Sequence, residues 1–195
     1  MATALKEAPM KIPLIAAIGL TFQAAAVDDL YKFKVDTTWT YKRLENGVEK
    51  KVTARVAAVE EGRVRLEWKT FDKEGTREET SAVTWSVVEG ILTAEARTKR
   101  EGEEDQVLTF GLLKAGSKKD DTWTTPLGNW THLGTVEVAV PAGTWKDAVR
   151  SRLKIGDDTK IEFTLVPKVG LVKIEIQNDA GENSFALTEF KEPKK

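Results

Sequence analysis

The residue types that carry most enzyme chemistry are sparse in this chain. His132 is the one histidine among 195 residues, which excludes a histidine-rich metal site and leaves any acid–base role for it dependent on carboxylate partners. Beside Trp130 and Leu133 it reads as a loop or packing residue. Acids occur side by side at Glu60-Glu61, Glu103-Glu104-Asp105, Asp120-Asp121 and Asp157-Asp158. A glycosidase would need two carboxylates about 5–10 Å apart across the scissile bond, and calcium would need a loop with a set ligand spacing. These acids instead fall where turns are expected, and none has that spacing. With no cysteine there is no thiol nucleophile, thiolate zinc site, disulfide or sulfur acceptor for a lipid. No Gly-x-Ser-x-Gly elbow and no phosphate-cradling glycine loop is present. The sequence therefore designates no catalytic residue, no metal ligand and no cofactor, and it leaves ligand-binding residues unassigned.

The six tryptophans are the more informative set, because indole faces stack sugars or line greasy cavities. Trp39, Trp68, Trp85 and Trp145 lie on the apolar parity of their strands and are expected in the core. Trp123 and Trp130 flank Thr124-Thr125-Pro126-Leu127-Gly128-Asn129 and are expected to be exposed, which makes them the better candidates for a contact surface.

The elements that must position these residues are strands. Val64, Leu66 and Trp68 alternate with Arg63, Arg65, Glu67 and Lys69; Val83, Trp85 and Val87, then Leu92, Ala94 and Ala96, then Leu108, Phe110 and Leu112 repeat the pattern. Each is a strand with one wet face. Val136 to Ile176 carries the strongest pattern: a valine-rich strand, a Pro141-Ala142-Gly143 corner, an alternating strand ending at Asp157-Asp158, and a hairpin through Val169 to Lys173. Turns are expected at Asn46-Gly47, Glu61-Gly62, 72–75, Glu89-Gly90, 98–105 and 178–181, about every ten residues, which is the rhythm of antiparallel sandwiches and barrels. No sustained helical period follows residue 26. The expectation is an all-β antiparallel meander that buries its apolar faces as an open barrel or a β-sandwich.

Thirty Lys and Arg against 31 Asp and Glu nearly cancel, so nothing advertises nucleic acid or an anionic membrane surface. Residues 1–26 read as a cleaved secretory signal: Lys11, an apolar run from Ile12 to Phe22, then Gln23-Ala24-Ala25-Ala26. The run is short for a bilayer span, and Met10 would make a more typical start than Met1. Residues 27–195 are then one all-β domain. Asp36-Thr37-Thr38-Trp39-Thr40 is echoed by Asp120-Asp121-Thr122-Trp123-Thr124, each at the same distance before a β-rich run at Val52 or Val136. This reads either as coincidence among strand formers or as two related halves meeting near 116–121.

In Val140-Pro141-Ala142-Gly143-Thr144-Trp145, Pro167-Lys168-Val169-Gly170-Leu171-Val172-Lys173 and Asp36-Thr37-Thr38-Trp39-Thr40-Tyr41, the chain resembles a group of exported bacterial proteins of uncharacterised function. That resemblance implies an antiparallel open barrel, loosely like the lipoprotein-carrier fold, outside the cytoplasm. The chain departs from the group in lacking the lipidated cysteine many members carry, and Lys168 stands where a small residue is more usual. It transfers no functional residue. Pro141 removes a ladder donor and Gly143 allows the bend; Gly170 is expected to take a backbone angle or a close approach that a side chain would forbid.

Three functions fit these observations: a non-catalytic periplasmic or secreted domain holding a hydrophobic molecule in its interior; an envelope module binding a protein or glycan through an exposed loop or sheet edge; or a hydrolase using paired acids, which would need a cleft with two facing carboxylates. An open interior cavity would favour the first.

Overall fold

The computed structural model describes residues 27–98, 106–179 and 181–194; the signal-peptide reading, the choice of start and Glu103-Glu104-Asp105 lie outside them. A short 3-10 turn at Val27–Leu30 precedes β1 (Thr38–Glu45), β2 (Val48–Glu60), β3 (Arg63–Phe71), β4 (Arg77–Val88), β5 (Ile91–Thr98) and β6 (Gln106–Lys114). Then come β7 (Thr122–Thr125), β8 (Gly128–Val140), β9 (Gly143–Ile155), β10 (Thr159–Val166), β11 (Gly170–Asn178) and β12 (Gly181–Lys191). All pair antiparallel in one sheet, in the order β6-β5-β4-β3-β2-β1-β12-β11-β10-β9-β8-β7. The meander curls into a barrel with one seam that lacks backbone pairing, between the edge strands β6 and β7. Of the two architectures expected, the barrel is the one formed.

Hairpin chemistry fixes the registers. Asn46 and Gly47 both take positive φ, 48° and 79°, between the paired Glu45 and Val48, as a two-residue hairpin turn requires. Glu89 and Gly90 do the same between β4 and β5. Inward rows are apolar, while the outward faces carry pairs such as Arg152 and Glu162, at 2.6 Å. That polarity is the reverse of a lipid-embedded barrel, whose apolar band faces out.

The two ends of the barrel differ. At one end, residues 27–37 fold across the interior as a plug: Leu30, Tyr31 and Phe33 are buried. Gly170 admits it. Its φ is +85°, and a Cβ there would lie 2.7 Å from Phe33 Cζ, so the strained angle and the close approach expected of this glycine coincide. The other end, ringed by the turns at Asn46-Gly47, 72–76, Pro126-Leu127 and 156–158, carries no such plug among the described residues.

Side chains, rather than a backbone ladder, bridge the seam. Trp123 Nε1 donates to Gly111 O at 3.1 Å and Ser151 Oγ donates to Leu112 O. Gly111 is required by this approach, since a Cβ would sit 2.8 Å from Thr125 Cγ2.

Candidate functional site

Along β4, β6 and β10, which face the interior near the unplugged end, burial increases inward. On β4 the inner row runs Glu79, Ser81, Val83, Trp85, from exposed to buried; on β6 it runs Leu108, Phe110, Leu112; on β10 it runs Ile161, Phe163, Leu165. These rows do not meet in the middle. They leave a cavity of about 250 Å³ that opens at the rim and is walled by carbon almost throughout. Ala94 and Ala96 on β5 leave room where neighbouring strands carry Val, Leu or aromatic side chains, and Ile174, Ile176 and Phe185 form the opposite wall.

The floor is aromatic. Tyr41 stacks on Trp68 with centroids 5.4 Å apart and planes 10° from parallel. Beneath them the plug residue Phe33 sits edge-on to Trp39 at 4.8 Å and to Trp85 at 6.4 Å. Edge-on and offset contacts of this kind are the favourable geometries for aromatic quadrupoles. Two long-range hydrogen bonds tie the floor to the β10–β11 turn: Trp39 Nε1 donates to Val169 O at 2.7 Å and Tyr41 Oη to Leu171 O at 2.9 Å. Burial pushes the Tyr41 phenol above the ordinary tyrosine range, because the charged phenolate would be desolvated there.

The rim is polar and largely self-paired. Arg43, the one cation among the lining residues, donates from Nη2 to Glu45 Oε1 at 2.6 Å and lies over the Phe185 ring, 5.1 Å from its centroid. Lys50 bridges Glu78 at 2.9 Å and Glu45 at 3.5 Å; the hydrogen bond from Lys50 to Glu78 is the main reason its ammonium is held above the usual lysine range. Thr70 and Ser81 supply hydroxyls just inside the rim, and the exposed Glu79 completes the polar set. Two donors beside the cavity, Arg43 Nε and Trp68 Nε1, are buried without a hydrogen-bond partner.

The sequence-designated residues are distributed otherwise. Of the expected core tryptophans, Trp39 and Trp85 are buried, Trp145 is half-buried against the core, and Trp68 is half-buried in the cavity wall. The expectation of an exposed Trp123–Trp130 surface is wrong: Trp130 is 0% exposed and Trp123 is 7% exposed. The stretch expected to be a loop is the β7–β8 hairpin, which places the two indoles directly opposite each other, stacked at 6.0 Å and 7°. Trp130 continues onto Phe163 at 5.4 Å, and Phe163 meets Phe110 of β6 at 5.9 Å. This aromatic file seals the seam from inside, which is why neither indole is free to make a contact surface.

His132 is buried at the root of the same hairpin. Its Nδ1 lies 3.1 Å from both Ser117 Oγ and Ser117 O, while the Ser117 hydroxyl donates to Lys114 O at 2.6 Å. A serine whose proton is held by a main-chain carbonyl is not poised to transfer it to the imidazole, so the pair acts as a latch. The described acid pairs stand apart: Glu60-Glu61 at the end of β2 and the turn after it, Asp120-Asp121 before β7, and Asp157-Asp158 between β9 and β10. None lines the cavity, and among the described residues no group of three potential metal ligands exists.

No protein-family model matches the chain, and no curated protein sequence matches it. Solved structures do. A candidate lipoprotein from Parabacteroides distasonis superposes with a TM-score of 0.57 at 14% identity, over 81% of this chain and 96% of that one. A candidate exported protein with a YmcC-like fold from Bacteroides fragilis superposes with a TM-score of 0.52 at 10% identity, over 82% and 97%. At such identities what is shared is the fold.

Proposed function

We propose that the chain is an exported, non-catalytic β protein that takes a hydrophobic molecule into the open end of its barrel, in the periplasm or outside the cell. The observation that carries this reading is the cavity itself: about 250 Å³ of carbon-walled space, closed below by packed aromatics and open above. A well-packed interior leaves no such volume, and concave apolar sites with a few polar groups at the edge are where small molecules bind. The export part is supported by the leader-like residues 1–26 and by the fold shared with a candidate lipoprotein and a candidate exported protein. Native mass spectrometry of the protein exported in its own host and purified without refolding tests it. A reproducible added mass that organic extraction removes is the expected result; a clean unliganded mass, together with failure to bind any nonpolar fluorescent probe, would overturn it.

The second reading, an envelope interaction module, loses its tryptophan loop but keeps a sheet edge. β6 ends the sheet, and on it Val107 is 48% exposed. An unpaired edge with apolar side chains is a template for strand addition. In-host cross-linking from position 107 that captures one reproducible partner would favour this reading.

A further inference from the structure

The shape and polarity of the cavity restrict its occupant. Resting on the reading of that cavity as the binding site, we infer that the ligand is a single unbranched alkyl or acyl chain, filled to about ten carbons, that enters tail first and leaves a head without negative charge at the rim.

The length comes from volume. An apolar protein cavity of about 150 Å³ holds benzene, or about 25 Å³ per carbon; the cavity here, at about 250 Å³, holds about ten carbons on the same measure. The form comes from depth. The inner row from Glu79 at the rim to Trp85 at the floor spans six residue steps on β4, about 20 Å of strand and about 15 Å along the barrel axis at the usual strand tilt. Spread over that depth, the volume leaves a cross-section of about 17 Å², enough for one extended chain and too little for two side by side. The wall agrees, since below Thr70 and Ser81 it offers carbon and an occluded indole N–H, which suits a chain without polar groups along its length.

The head is set by the rim. Arg43 is the one cation lining the cavity, and Glu45 already holds it at 2.6 Å. Lys50, on the strand paired with β1, is held by Glu78 and Glu45. Glu79 lines the same rim and makes no ion pair among the described residues. Arg43 Nε has no partner but is buried, so an anionic head would have to reach it past Glu45 while facing Glu79; a hydroxyl or amide head meets Thr70, Ser81 and Glu79 without that conflict.

The test is a chain-length series on the exported protein: 1-hexanol to 1-tetradecanol, with the matched carboxylates at pH 7.4, each read by displacement of a nonpolar fluorescent probe. Alkanol affinity is expected to rise about fourfold per methylene up to ten carbons and then level. The carboxylates are expected to bind at least tenfold more weakly at equal length. Affinity that climbs unbroken to fourteen carbons, or carboxylates that match the alkanols, would overturn the inference while leaving the cavity reading standing. Failure of every chain would overturn both. Ala94→Leu adds three carbons to the wall and is expected to move the break to about seven carbons, with thermal unfolding reporting that the variant is folded; Ala96→Leu, nearer the rim, serves if it is not. A folded variant whose break stays at ten refutes the placement.

Discussion

Trp39 and Trp68 lie on adjacent levels of the same aromatic floor, and one substitution applied to both separates packing from hydrogen bonding. Replacing either by Phe removes a fused ring from a packed cluster, a loss of about 1–2 kcal/mol on the scale of conservative large-to-small changes. The indole N–H groups then act in opposite directions. Trp39 Nε1 donates to Val169 O at 2.7 Å, so Trp39→Phe also strands that carbonyl, adding about 1–3 kcal/mol. Trp68 Nε1 is buried with no acceptor, so Trp68→Phe removes an unsatisfied donor and returns about 1–3 kcal/mol. Trp39→Phe is therefore expected to cost about 2–5 kcal/mol, and Trp68→Phe to fall between about 2 kcal/mol of stabilisation and 1 kcal/mol of cost. Urea unfolding of both variants and the parent, compared at matched slopes, measures the difference. A Trp68→Phe variant as destabilised as Trp39→Phe would refute the assignment of a stranded indole, and with it the claim that the floor beside the cavity carries an unmet polar group.

Other consequences are open to the same unfolding measurement. Gly170→Ala brings a methyl group to 2.7 Å from Phe33 at a φ of +85° and is expected to cost about 2–4 kcal/mol; in a double-mutant cycle with Phe33→Ala part of that cost disappears, and strict additivity would show that the plug does not press on this turn. Trp130→Ala empties a fully buried site and is expected to cost about 3–5 kcal/mol; an unchanged unfolding midpoint would restore Trp130 to the surface. Burial raises the Tyr41 phenol in the folded state, so its contribution is complete below the unfolded tyrosine pKa of about 10 and declines above it, by about 1.4 kcal/mol per pH unit. Tyr41→Phe should lose the bond to Leu171 O yet fall less steeply between pH 10 and 11.5, and equal slopes would contradict the burial argument.

Most of the barrel is legible in the sequence because its strands obey a period of two and its turns are spelled by Asn-Gly and Glu-Gly pairs. Where the reading fails, an identifiable local feature competes. The β7–β8 hairpin reads as an exposed loop because β7 has only four residues and Pro126 follows it, so there is too little alternation to outweigh a turn signal. The plug escapes notice for a similar reason: Val27, Leu30 and Tyr31 repeat at helical spacing for a single turn, which is too short a period to register, although it is the available signal. β2 also carries a bulge between Val56 and Ala58, which parity alone cannot foresee. The cavity has no sequence pattern of its own, since an empty volume depends on where rows from β4, β5, β6 and β10 stop short of one another. Ala94 and Ala96 are its trace, small residues on an inner row that is otherwise bulky.

The echo between Asp36–Thr40 and Asp120–Thr124 has a structural counterpart. Asp36 and Asp120 take positive φ, 69° and 72°, an angle Asp tolerates better than most residues. Asp36 N donates to Val56 O and Val56 N to Thr37 O; Asp120 N donates to His132 O and His132 N to Asp121 O. The same entry thus starts two runs of six strands, β1–β6 and β7–β12, and fixes each run's first tryptophan facing inward. The two then serve different ends. Trp39, on the eight-residue β1 and with the plug beneath it, becomes part of the floor, whereas Trp123, on the four-residue β7 stopped by Pro126, reaches Gly111 across the seam. One local device closes the barrel below and the other packs across its side, so among the described residues the open way into the interior runs past Arg43 and Glu79 at the rim, which is the route the proposed ligand would take.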